Sequence, residues 1–251
     1  MDDLLARFAR DGFVTLPNAL DSAALAPLRG AVDRVWNLRR PASDEPLHEL
    51  GFVRLDDAFV ELVDHPAALP FVQALLGWNI YLYHCHLDVH PPRVELPRWR
   101  WHQDGGRQNV DLASPRPLLS VKVAWFLTDV PTAEHGALWI IPGSHVFDTL
   151  EHPADGSLLP EGAVPLLVSA GSAVFFDRRL WHARGENTSS FVRQALFYAY
   201  SYRWIRARDE CDLPLWPAEP RDPVRRQLLG GASSTLGHWL PADEDVPLRL
   251  L

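Results

Sequence analysis

Ile80-Tyr81-Leu82-Tyr83-His84-Cys85-His86-Leu87-Asp88-Val89 alternates two kinds of side chain, and that period of two decides the fold. Successive Cβ atoms of a strand point to opposite faces, so Tyr83, Cys85 and Leu87 share one side and His84, His86 and Asp88 the other. This is the pattern of a half-buried strand. The polar side is either a solvated outer face or the lining of a pocket, and the residues alone leave both open. Further strand-like runs follow at 118–127, 137–141, 164–168, 173–176 and 194–202, separated by clusters of Pro, Gly, Asp and Ser. Many strands with turn signals, and no helices alternating with them, predict an antiparallel double-sheet or jelly-roll core.

Before Trp78 the period is helical. Leu4, Leu5 and Phe8 fit a short amphipathic helix that Gly12 stops, and Phe13-Val14-Thr15-Leu16 reads as a strand closed by Pro17. Asp21 or Ser22 caps a second predicted helix at 23–37, and a third within 65–76 ends at Gly77. After 205 the chain is proline-rich and reads as a wrapping tail with one short helix near 223–229. There is no internal repeat and no composition break. The expectation is one mainly β domain with flanking helices: helical support over 1–77, core over 78–204 and tail over 205–251.

Length and charge narrow the function. A chain of 251 residues needs no disulfide or metal staple to bury a core. A net charge of -8 argues against a nucleic-acid partner, which needs a basic face. Cys85 and Cys211 cannot build a disulfide framework and suit a reducing cytosol. No apolar run approaches the ~20 residues of a membrane span, and the acidic start Met1-Asp2-Asp3 lacks a signal peptide's basic region. A cytoplasmic location, with neither membrane nor nucleic acid as partner, is therefore expected. No pattern specifies an oligomeric state. Lys122 is the only lysine in an arginine-rich chain, in keeping with GC-rich coding.

Outward from the central strand lie Trp101-His102-Gln103-Asp104 and, about eighty residues later, Leu180-Trp181-His182, with Arg193 eleven positions further on. Parity sends His102 and Asp104 to one side of an extended segment. His182 follows the apolar run Ala173-Val174-Phe175-Phe176, near a strand end. Two imidazoles and a carboxylate can occupy one face of a metal octahedron, the arrangement of non-haem Fe(II) oxygenases. A lone His-x-Asp arises often by chance and by itself reads equally as a surface strand end.

Together with Gly136-Ala137-Leu138-Trp139-Ile140-Ile141-Pro142-Gly143-Ser144-His145, these segments resemble the phytanoyl-CoA dioxygenase family of 2-oxoglutarate oxygenases. The likeness runs from the Gly12-Phe13-Val14 opening to about Trp204. It implies a double-stranded β-helix (a cupin-like jelly roll) holding Fe(II) through His102, Asp104 and His182. It also implies 2-oxoglutarate and O2 as co-substrates, with the distal carboxylate of 2-oxoglutarate on Arg193, whose planar fork suits a carboxylate. By the same likeness, His84 and Asp88 fall on the side that meets 2-oxoglutarate, and His86 on the side that meets substrate. His145, in its Pro-Gly-Ser-His turn, reads as structural. His135, His152 and His238 read as loop residues.

Lys122, in mid-strand, either meets the co-substrate or an anionic substrate group or snorkels outward. Trp181 is placed with the co-substrate, and Arg107, Gln108, Arg184 and Phe197 are candidate walls for substrate. Gly105 and Gly106 after the His-x-Asp pair permit close backbone approach, and no phosphate-binding glycine motif occurs. Three functions compete: an Fe(II)/2-oxoglutarate dioxygenase that hydroxylates or ring-closes a small molecule, releasing succinate and CO2; a non-catalytic jelly roll that binds a metabolite; and a metal-dependent hydrolase, which gives Arg193 no role. Asp104 disfavours halogenation, since the related halogenases replace that ligand by a small residue. Composition and length resemble antibiotic tailoring enzymes such as the orthosomycin oxygenases, so a secondary metabolite, sugar-containing or not, is the expected substrate.

Overall fold

The computed structural model describes residues 1–39, 42, 44–93, 98–104, 112, 116–209 and 222–251. Nine strands form two antiparallel sheets among these residues. Strands β1 (Phe13–Leu16), β2 (Leu47–Leu50), β3 (Ile80–His90), β4 (Ser120–Phe126), β7 (Ala173–Asp177) and β9 (Arg193–Tyr202) make a six-stranded sheet in the order β1-β7-β4-β9-β3-β2. Strands β5 (Leu138–Ile140), β6 (Val164–Leu166) and β8 (His182–Arg184) make the smaller one, in the order β6-β5-β8. This is the jelly roll that the strand spacing predicts.

Alternation places two cores on the two faces of the large sheet. Cys85, Leu87, Val123, Trp125, Tyr198 and Tyr200 face the helices α2 (Ser22–Arg39), α3 (Asp57–Val60) and α4 (Leu69–Leu76). The Tyr198 and Tyr200 hydroxyls donate to the Phe59 and Val63 carbonyls, each at 2.7 Å, so burial leaves neither unpaired. The other face packs Ala124, Phe126, Val174 and Phe176 against Leu138 and Ile140 of the small sheet. β3 is thus buried on both sides, not half-buried as its alternation suggests. Its polar parity looks into a space between the sheets.

Most predicted elements are present. Helix α2 begins as expected, with the Asp21 carboxylate accepting from the Ala24 N–H at 2.9 Å. The third predicted helix is shorter, confined to Leu69–Leu76. β2, α3 and β8, each of three or four residues, have no counterpart in the sequence reading. In the tail, α5 (Pro223–Leu228) brings Gln227, whose amide donates to the Trp78 and Ile80 carbonyls at 2.7 and 3.2 Å. That contact ties the tail to the start of β3.

Gly12 ends α1 (Asp2–Asp11) with φ 77°, and its carbonyl accepts from the Asp177 N–H of β7 at 2.9 Å. A Cβ there would stand 2.6 Å from Nδ1 of His145, whose Nε2 donates to the Ala9 carbonyl at 3.1 Å. His145 is therefore a structural wedge. Gly12→Ala is expected to cost roughly 1–3 kcal/mol for the left-handed backbone, before any added clash. A urea midpoint equal to that of the unchanged chain would refute this account.

Candidate metal centre

His102 and His182 are joined by two reciprocal backbone hydrogen bonds, each N–H donating to the other's carbonyl at 3.0 Å. This antiparallel bridge sets His102 on the open edge of β8. Directly opposed residues send their side chains to one face, and the two imidazoles lie 4.3 Å apart between ring centres. Asp104, two positions on, shares that face, held by its N–H to the Arg178 carbonyl at 2.8 Å. Gln103 points the other way, and its amide donates to the Phe147 and Arg179 carbonyls at 2.8 and 2.5 Å. One ligand atom from each of His102, Asp104 and His182 lies within 4.8 Å of the others.

Hydrogen bonding fixes both tautomers. Nδ1 of His102 lies 2.8 Å from the Arg100 carbonyl, and Nδ1 of His182 lies 2.8 Å from the Leu180 carbonyl. A carbonyl only accepts, so each Nδ1 carries the proton and each Nε2 offers a lone pair. Burial, reinforced by His102 and opposed by Asp104, pushes His182 down to about 3, so it stays neutral. Burial alone would raise the Asp104 carboxyl, but the Lys122 ammonium overrides it and holds the group well below the usual carboxylate range. Two imidazoles and one carboxylate suit a divalent transition metal.

Lys122 Nζ stands 2.6 Å from Asp104 Oδ2, with the two side chains only 6% and 9% exposed. It lies 5.6 and 5.9 Å from the Phe176 and Phe197 ring centres. Lys122 thus turns inward and does not snorkel. It meets a metal-site carboxylate rather than standing free for the co-substrate.

These groups open on a cavity of about 320 Å³ between the sheets. β3 contributes His84, His86 and Asp88, so its polar parity is a pocket wall and not a solvated face. Ala195 and Ala199 of β9 pair with Asp88 and His84. Arg193 crosses the same wall, donating to the Gly136 carbonyl at 3.0 Å and to Asp88 Oδ2 at 2.6 Å. Its Nε is buried with no acceptor among the described residues. Burial would raise the Asp88 carboxyl, yet a hydrogen bond from His48 at 3.0 Å and the Arg193 charge hold it well below the carboxylate range.

The cavity also includes the expected Arg184 and Phe197. Three expectations change. His84 uses Nδ1 on Asp209 at 2.6 Å and Nε2 on His86 at 3.1 Å, so it keeps no nitrogen for 2-oxoglutarate. Asp88, an anion paired to Arg193 and His48, is a partner of the arginine and not a ligand for another carboxylate. Trp181 is absent from the lining: adjacent to His182, it points away, packs with Trp101, Ile141 and Ala183, and donates to the Phe147 carbonyl at 3.2 Å. Arg107 and Gln108 lie outside the described residues. His48, Arg208, Leu138 and Phe176 line the cavity without having been singled out. Leu138 and Phe176 were legible from strand parity, whereas His48 sits in β2, too short to recognise.

Comparison with known proteins identifies the family and the fold. The sequence profile of the phytanoyl-CoA dioxygenase (PhyH) family matches residues 8–195. L-proline trans-4-hydroxylase from Streptomyces griseoviridis is 27% identical over 234 residues, covering 79% of this chain and 85% of that enzyme. Among solved structures, HygX from Streptomyces hygroscopicus, with nickel and 2-oxoglutarate bound, superposes with a TM-score of 0.69 at 16% identity, over 88% of this chain and 93% of its own. SnoK, a non-haem α-ketoglutarate-dependent carbocyclase of nogalamycin biosynthesis, gives 0.65 at 24% identity, over 81% and 84%. The two likenesses support the fold.

Removing one partner of a buried ion pair strands the other. Lys122→Met is expected to destabilise the metal-free protein by about 3–5 kcal/mol, and adding Asp104→Asn should recover most of that loss. Urea unfolding in chelator decides it. A single variant no weaker than the double one would show that the pair contributes nothing.

Proposed function

The chain belongs to the phytanoyl-CoA dioxygenase family and is a non-haem Fe(II)/2-oxoglutarate-dependent dioxygenase; we propose that it oxidises a C–H bond of a small secondary metabolite. In this reading His102, Asp104 and His182 are the iron ligands, Arg193 anchors 2-oxoglutarate, and segments 1–77, 78–204 and 205–251 work as one domain. Iron with 2-oxoglutarate and O2 supplies the oxidising chemistry, releasing succinate and CO2.

The observation that carries the reading is the donor set. His102, Asp104 and His182 each bring one ligand atom within 4.8 Å of the others, and both Nδ1 atoms face backbone carbonyls. Three protein ligands on one side leave coordination positions for a chelating keto acid and O2. Arg193 adds the second support, because a buried guanidinium Nε without an acceptor is completed by an incoming carboxylate. Its pairing with Asp88 keeps the arginine from standing as a bare buried charge before the co-substrate arrives.

Hydroxylation adds one oxygen atom of O2 to the substrate and places the other in succinate. Ring closure instead removes two hydrogens and adds none of that oxygen. A carbocyclase of antibiotic biosynthesis and an amino-acid hydroxylase among the similar proteins support a small substrate, and the former supports a secondary metabolite. Arg184, His86 and Phe197 are the proposed substrate wall, with Arg107 and Gln108 assigned there from sequence.

Anaerobic Fe(II) with 2-oxoglutarate is expected to give a weak visible charge-transfer band, which Zn(II) does not give and His182→Ala abolishes. No band from metal-loaded protein would defeat the ligand assignment. Arg193→Ala should weaken 2-oxoglutarate binding by roughly 2–5 kcal/mol, much of it from breaking a buried charge pair. Unchanged affinity would remove Arg193 from that role. Succinate release across a panel of metabolites identifies the substrate, and the product's mass separates hydroxylation from ring closure.

A further inference from the structure

A directed chain of hydrogen bonds runs through the cavity wall beside the metal centre. It starts at Asp209, just beyond β9. Asp209 Oδ2 accepts from the Gly51 and Cys85 backbone N–H groups at 3.1 and 3.0 Å, which fixes the carboxylate in place. Its Oδ1 lies 2.6 Å from Nδ1 of His84, and Nε2 of His84 lies 3.1 Å from Nδ1 of His86. An imidazole holds a proton more tightly than a carboxylic acid does, so the first proton sits on His84 Nδ1. His84 Nε2 is then an acceptor, His86 Nδ1 must be the donor, and His86 Nε2 keeps a lone pair.

The direction holds while both rings are neutral, the form that burial in the cavity wall favours. Burial pushes His84 down, against its hydrogen bond to Asp209, and Lys122 adds to the fall. Burial pushes His86 well below its ordinary value. The His86 ring cannot turn freely. It stacks on Phe197 at 4.3 Å with 12° between planes and meets His48 at 4.7 Å on centroids. It lines the cavity, and no described residue donates to its Nε2.

We propose that His86 is a specificity-determining residue whose Nε2 accepts a hydrogen bond from a substrate hydroxyl, with Asp209 and His84 as the positioning residues that set its tautomer. This rests on the cavity being the oxygenase site. A hydroxyl fits better than an ammonium because the lining already carries four cations, Lys122, Arg184, Arg193 and Arg208, against two carboxylates, Asp88 and Asp104. A cationic substrate would meet net repulsion, whereas a neutral O–H donor would not. The enzyme therefore selects an alcohol or polyol, and its ether analogues are poor ligands.

Histidine-selective 15N NMR on the metal-free full chain reads the tautomer directly, with His86→Gln assigning the signal. His86 should show a protonated Nδ1 and a pyridine-type Nε2. Asp209→Asn should invert the relay: the two backbone N–H groups retain the amide oxygen, the amide nitrogen faces His84, and the proton of His86 moves to Nε2. Glycerol, myo-inositol and methyl glucoside, each beside its fully O-methylated ether, serve as probes. At least one polyol should shift the His86 Nε2 resonance while its ether does not. A proton on Nε2 in the unaltered chain, a folded Asp209→Asn protein with the tautomer unchanged, ethers as effective as polyols, or no polyol response would each overturn the proposal. Because no iron or 2-oxoglutarate is present, failure here is distinct from failure of the charge-transfer test.

Discussion

Two backbone hydrogen bonds between residues 102 and 182 decide what this molecule can do. They join segments far apart in sequence and set two imidazoles on one face. Parity then brings Asp104 to the same place and sends Gln103 and Trp181 elsewhere. The ligand geometry is thus a property of strand pairing and not of side-chain packing. A register slip of one residue would turn every donor away from the cavity.

Around that bridge the jelly roll solves a second problem, the burial of charge. Each charged side chain buried here has a partner: Lys122 with Asp104, Arg193 with Asp88, and Asp209 with the N–H of the His84 ring. Unpaired, any of them would carry a desolvation cost of several kcal/mol. Paired, they keep a polar space open between two apolar cores. The tyrosines of β9, Tyr198 and Tyr200, face the helices and close the other side.

Much of this was legible in the sequence. The alternation of β3, the Gly12 stop and the shared parity of His102 and Asp104 were readable from the residues, and the structure shows the corresponding strand, cap and shared face. Alternation separates His84, His86 and Asp88 from Cys85 and Leu87 but does not say which side meets water, since both faces of a strand can be covered. His84 and Asp88 were placed against the co-substrate because their partners could not be seen: Asp209 lies more than a hundred residues away, and His48 sits in a four-residue strand without a readable period. Trp181 was set beside the co-substrate because β8, whose parity sends it away from His182, is only three residues long.

Lys122 is the chain's single lysine, and it sits at 6% exposure inside the cavity. Apart from the terminal α-amine, the surface therefore offers no primary amine. Acylating reagents that decorate most proteins at many points have one internal target here, shielded by its carboxylate partner. Amine chemistry on this protein becomes a site-selective gauge of how open the oxygenase cavity is.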